Sequence, residues 1–124
     1  MTINSILIVD DSEADQYLCS HIIKSFNDNI EILQAYDGKE ALQTFSEQET
    51  KPDLIFLDLN MPIMDGFEFL NVFEGQAEDT QTRIFILSSS SHKLDKERIE
   101  TFSFVSGHLL KPLTVEQLKD LPSI

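Results

Sequence analysis

Five times along this chain a short apolar run gives way to a segment whose apolar residues recur at helical spacing, and that alternation constrains the fold more than any other feature. Ile6 to Val9 precedes a segment with Ala14, Leu18 and Ile22, and also Tyr17 and Phe26, at such spacing. IEILQA, residues 30–35, precedes DGKEALQTFSE, where Ala41, Leu42 and Phe45 share one face. DLIFLDL, residues 53–59, is apolar without alternation, as a strand covered on both faces should be. It precedes DGFEFLNVFE, with Phe69, Leu70 and Phe73 on one face. RIFILSSS leads to a helix from about Leu94 to Phe102, and GHLLKP to a short helix from Val115. Thr114 and Gln117 form a capping box for that last helix, since each side chain can satisfy a backbone N–H at its start.

Strand followed by helix, repeated five times in 124 residues, implies a parallel sheet with helices on both faces. The length suits one domain, residues 1–124, with no room for a second folded unit. Five strands fit the flavodoxin-like doubly wound α/β fold with strand order 2-1-3-4-5, in which a crevice opens beyond the carboxyl ends of strands one and three. Polar residues stand at those ends. Asp10 and Asp11 close strand one, Asp58 closes strand three, Ser88 closes strand four and Lys111 closes strand five, so all five are expected at one edge of the sheet.

The charge balance narrows the partners. Nine basic residues against 22 acidic ones give a net charge of −13, which argues against a direct grip on nucleic acid, where affinity comes from Lys and Arg on phosphates. It equally disfavours anionic membrane surfaces. No apolar run approaches the ~18 residues of a membrane span, and Asn4 and Asp10 interrupt the N-terminus before a signal-peptide core could form, so a cytoplasmic protein is expected. The single cysteine, Cys19, cannot form an internal disulfide and reads as a buried structural thiol.

Two ionised carboxylates side by side repel, and each binds protons more tightly unless a cation or a donor sits nearby. Asp10, Asp11 and Asp58 together make an all-oxygen site suited to Mg²⁺, which prefers one or two carboxylates plus waters and phosphate oxygens. Lys111 and the Ser88 hydroxyl can meet the oxygens the metal leaves uncovered. Such a site suits a phosphoryl group.

With these residues in place the chain closely resembles the receiver domain of two-component response regulators, of the stand-alone CheY-like kind. ILIVDD, LIFLDLNMPIMDGFEFL, IFILSS and LLKP occur in the family's order and at its separations, across nearly the whole chain. The resemblance implies that Asp58 is the phosphoacceptor, that Asp10 and Asp11 are the acidic pair with Asp11 the direct metal ligand, and that the backbone carbonyl of Asn60 completes the metal shell. It implies that Ser88 senses the phosphoryl group and Lys111 pairs with it, and that the Lys111–Pro112 peptide is often cis. Mg²⁺, with Mn²⁺ as a substitute, is the expected cofactor. A histidine kinase or phosphotransfer protein is the expected donor, and the protein is expected to be a phosphoacceptor that assists its own phosphorylation and dephosphorylation, not an enzyme of turnover. The signal is expected to leave by contact with a downstream protein.

Other residues carry plainer expectations. Asp15 reads as a helix-starting or solvated acid, Ser89, Ser90 and Ser91 as a loop with a helix N-cap, and Asp65 and Gly66 as a turn opening the third helix. Asn60 and Ser90 flank the acceptor and the hydroxyl and are expected to tune the lifetime of the acyl phosphate. His108 stands three residues before the lysine, where many receivers carry a Tyr or Phe that rotates on activation; it reads equally as such a rotor and as a partly exposed strand histidine. The last helix is short, with Pro122 after Leu121 and the sequence ending at Ile124, so the output face that it helps to form in the family is expected to be reduced. Two rival readings share this sheet. A haloacid-dehalogenase-like phosphatase requires a second Asp two residues after its nucleophile, where this chain has Asn60 after Asp58 and Ser12 after Asp10. An FMN-binding flavodoxin-like protein requires a phosphate loop rich in Ser, Thr and Gly after strand one, not two acids.

Overall fold

The structure, a computed structural model, describes residues 3–89 and 93–121. Five strands, β1 (Ser5–Val9), β2 (Glu31–Ala35), β3 (Leu54–Leu57), β4 (Arg83–Ser88) and β5 (Val105–Leu110), form one parallel sheet in the order 2-1-3-4-5. The helices between and after them are α1 (Glu13–Phe26), α2 (Gly38–Glu47), α3 (Gly66–Phe73), α4 (Lys93–Glu100) and α5 (Val115–Lys119), and α3 runs on into a short 3₁₀ helix, Glu74–Asp79, that periodicity did not indicate. The doubly wound order expected from the sequence is therefore the order observed.

Successive strand residues point to opposite faces, and the central strands bury both. Leu7, Val9, Ile55, Leu57, Ile84 and Ile86 pack with Ala41, Phe45, Phe69, Leu70 and Phe73 on one side. Ile6, Ile8, Leu54, Phe56, Phe85 and Leu87 pack with Cys19, Ile23, Leu113 and Leu118 on the other. The absence of alternation in β3 follows directly: all four of its residues are buried. The edge strands β2 and β5 are only partly covered. Cys19 lies inside, and burial pushes its thiol up to about 12, with Asp10 adding to the rise, so it is inert packing.

One sequence expectation fails here. The helical stripe of α1 that faces the sheet is Gln16, Cys19 and Ile23, while Ala14, Tyr17 and Leu18 lie outside and Ile22 and Phe26 flank the core. Ser12 sets the phase as N-cap, accepting from the Asp15 N–H at 3.2 Å. Gln16 can sit inside because its Nε2 donates to the carbonyls of Ile8, Asp10 and Ala35 at 3.1, 3.1 and 2.9 Å, tying α1 to the ends of β1 and β2. Apolar counting passes over such a residue. Thr114 and Gln117 form the capping box expected on α5, and Asp65, read as part of a turn, forms a second one with Glu68 on α3. Ser90, Ser91, Pro122 and Ile124 lie outside the described residues.

Candidate functional site

The loops after β1, β3 and β5 meet at the carboxyl edge of the sheet, where Ser88 ends β4. The loop after β1 carries Asp10 and Asp11, and the switch from β2 on one flank to β3 on the other opens the crevice there. Asp10 is buried and pinned: the Ser12 N–H donates to its Oδ1 at 2.9 Å, and its own N–H donates to the Ala35 carbonyl at 3.0 Å. Asp11 is exposed. Asp58 follows β3, buried, with the Leu59 N–H donating to its Oδ1 at 3.0 Å. One carboxylate oxygen from each of Asp10, Asp11 and Asp58 falls within 4.8 Å of the others. Asn60 follows on the exposed side of the loop.

That loop is held tightly from beneath. The Gly66 N–H donates to the Leu59 carbonyl at 2.9 Å, and a Cβ at position 66 would lie 2.5 Å from the Asp58 carbonyl oxygen, so only glycine lets α3 start this close to the loop after β3. Between them, the Met64 N–H donates to the Pro62 carbonyl at 2.7 Å across Ile63, which takes the left-handed φ of 69°.

Lys111 enters from the loop after β5, its N–H donating to the Ser88 carbonyl at 2.9 Å and its peptide bond to Pro112 cis. Its Nζ lies 2.7 Å from Asp10 Oδ2, 2.9 Å from Asp15 Oδ2 and 3.7 Å from Asp58 Oδ2. Burial alone would lower the ammonium's pKa, but hydrogen bonds to Asp10 and Asp15, with the Asp58 charge behind them, hold it above the ordinary lysine value. The reverse holds at Asp58. Burial pushes its carboxyl up to about 6; Lys111 opposes the rise, Asp10 adds to it, the Leu59 N–H opposes it and Asp11 adds to it.

Ser88, buried at the end of β4, has its Oγ 3.3 Å from His108 Nε2. His108 is half-buried on β5, in register with Ile86. Burial lowers its pKa first, and nearby Lys96 lowers it further against the pull of Asp95. The five residues expected at one sheet edge are thus all at that edge, but the Ser88 hydroxyl reaches toward β5. Asp15 departs from its reading as a solvated acid. It does begin α1, yet its carboxylate is bonded to Lys111, a contact across 96 positions that no local signal marks. Beside the charged cluster a cleft of about 550 Å³ runs between α1 and the β5–α5 loop, lined by Leu18, Ile22, Phe56 and Leu113 and ending on Asp58.

The donor set is wholly oxygen, buried on one side and open on the other, which fits a hard divalent cation with waters or phosphate oxygens completing its shell. Comparison with known proteins points the same way. The model of the response regulator receiver domain matches residues 6–121. A protein-glutamate methylesterase/protein-glutamine glutaminase from Clostridium acetobutylicum is 33% identical over 121 residues, covering 93% of this chain and 33% of that protein. A similar enzyme from Myxococcus xanthus is 34% identical over 91 residues, 73% of this chain, so the chain spans a quarter to a third of these relatives. Among solved structures, a two-component response regulator from Cytophaga hutchinsonii matches with a TM-score of 0.87 at 28% identity, over 98% of this chain and 95% of that one. Neither rival reading finds support in these matches.

Proposed function

Because this chain belongs to the response regulator receiver family, and so acts as a response regulator of two-component signalling, we propose that Asp58 accepts the phosphoryl group and that Asp10, Asp11, Ser88 and Lys111 assist it. The observation that carries this is the convergence of three carboxylates within 4.8 Å beside one lysine ammonium, at the end of the crevice. The Asp58 carboxylate attacks the phosphorus of a phosphohistidine on a kinase or phosphotransfer protein; an O–P bond forms, the N–P bond breaks, and the imidazole leaves with the bonding pair and takes up a proton. Charge spreads over the equatorial oxygens on the way, so positioned cations do most of the work. Lys111 is one such cation, already 3.7 Å from Asp58 Oδ2. A Mg²⁺ or Mn²⁺ held by Asp10, Asp11 and Asp58, with the Asn60 carbonyl, supplies further neutralisation of those oxygens when bound.

The cleft between α1 and the β5–α5 loop suits the approach of a donor, with Leu18, 52% exposed, on its α1 wall. Output follows from Ser88. New phosphoryl oxygens compete with His108 for its hydroxyl, so phosphorylation loosens β5 and changes affinity for a downstream protein by the difference in its binding to the two states. On this reading the chain is a phosphoacceptor of the cytoplasm that hydrolyses its own acyl phosphate, at a rate tuned by Asn60 and Ser90, and not a turnover enzyme. The test is labelling from acetyl phosphate with Mg²⁺. Wild type should gain one hydroxylamine-labile phosphoryl group and Asp58→Asn none, since an amide of nearly the same volume is no nucleophile. Full labelling of the variant would place the acceptor elsewhere.

A further inference from the structure

Three carboxylates share the Lys111 ammonium, and Asp58, where phosphoryl chemistry would occur, is the farthest. Asp15 Oδ2 is within charge-assisted hydrogen-bond range at 2.9 Å, as Asp10 Oδ2 is at 2.7 Å, whereas Asp58 Oδ2 at 3.7 Å is outside it. The contact is set up at both ends. Ser12 caps α1 through the Asp15 N–H, which fixes the first turn where Asp15 faces the loop after β5, and the Lys111 backbone is anchored on the Ser88 carbonyl. The two bonds differ in depth. Asp10 has a side chain only 6% exposed, while Asp15 is 40% exposed at the rim, so the outer bond is the weaker and the one able to open.

We propose that Asp15 is a positioning residue for the phosphorylation reaction: it tethers Lys111 away from Asp58 in the unphosphorylated protein, and phosphoryl oxygens gain the ammonium only by drawing it off Asp15. The inference rests on Asp58 being the acceptor. Two of the ammonium's three N–H groups are held by Asp10 and Asp15, and while both bonds stand Asp58 Oδ2 at 3.7 Å is out of hydrogen-bond reach, so Lys111 must give up one of them to close on the acceptor, and the more exposed Asp15 is the one released. Whatever holds the resting arrangement together is subtracted from the affinity for the group that must displace it. Removing the tether therefore makes the site take a phosphoryl group more readily.

Beryllofluoride with Mg²⁺ mimics the acyl phosphate and can be titrated calorimetrically at neutral pH. Asp15→Asn keeps the volume, removes the charge and should bind beryllofluoride about three- to tenfold more tightly than wild type, the scale of one partly exposed charge-assisted bond. Asp15→Glu, which can still reach the ammonium, should stay within about twofold of wild type. A second comparison separates the tether from simple repulsion by the Asp15 charge. In a Lys111→Ala background there is no ammonium to release, so Asp15→Asn should leave the rate of labelling from acetyl phosphate, followed over hours, unchanged. Equal or weaker beryllofluoride binding by Asp15→Asn, or a rate gain that persists without Lys111, would overturn the tether while leaving Asp58 as acceptor. Failure of wild type itself to bind beryllofluoride with Mg²⁺ would instead remove the acceptor reading, and the tether with it.

Discussion

Asp58 is held in a state that the fold alone does not favour. Its carboxyl titrates at about 6 against an ordinary 3.8, with burial the main cause and Lys111 only partly compensating. Between those two values the folded protein binds more protons at this site than the unfolded chain does, so its contribution makes stability fall as pH rises from about 4 to about 6, and the full penalty is present above that window. Asp58→Asn removes the charge. In chelator-treated buffer it should raise unfolding free energy at pH 7.5 by up to about 3 kcal/mol, the size of a shift of roughly two pKa units, and the gain should vanish below about pH 4. Urea titrations at the two pH values test this; a gain that does not depend on pH, or no gain at all, would contradict it. Asp11 stands differently, exposed at the mouth of the site, where a cation held by the three carboxylates would have room for water.

At the scale of elements, the loop from Asn60 to Asp65 is clamped by Gly38, whose N–H donates to the Met64 carbonyl at 2.8 Å, and by Gly66 on the other side. The clamp forces Ile63 into the left-handed region, where a β-branched side chain is strained, and that side chain is 77% exposed and packs on little. Ile63→Gly should therefore stabilise the protein by about 0.5–1 kcal/mol in urea unfolding, the relief of strain outweighing the added freedom of the unfolded chain. A net loss would show that the side chain's contacts matter more than the strain. Strands and most helices were legible because each carries its period in a few adjacent residues: β3 is buried throughout as its unbroken apolar run implies, and Phe69, Leu70 and Phe73 face the core as spaced. α1 was misread because its inward stripe opens with Gln16, a polar residue paid for by three carbonyls on other elements. The Asp15 to Lys111 contact was invisible for the same reason, being a product of topology and of the Ser12 cap. Ile63 carried no signal either, since nothing in MPIMDG marks a positive φ at that residue.

For the whole molecule, with a net charge of −13, four of the 22 acidic residues stand at the switch point of the sheet: Asp10, Asp15 and Asp58 lie within 3.7 Å of the Lys111 ammonium, and Asp11 lies beside Asp10 and Asp58. The fold supplies this by bringing the ends of β1, β3 and β5 to one edge, and at the same edge the Ser88 hydroxyl at the end of β4 meets His108 on β5. Carboxylates so placed favour a divalent cation and, through it, an anionic group that the protein's own charge would otherwise repel. On the proposed function, this group becomes covalently attached to Asp58. The most direct measurement of that attachment is chemical mapping: the protein is treated with acetyl phosphate and Mg²⁺, reduced with borohydride, which converts an aspartyl phosphate to homoserine, and digested for peptide mass spectrometry. Homoserine is expected at position 58 alone, and only when Mg²⁺ is present. Homoserine at position 10, 11 or 15, or none anywhere in a protein shown to be folded, would contradict it.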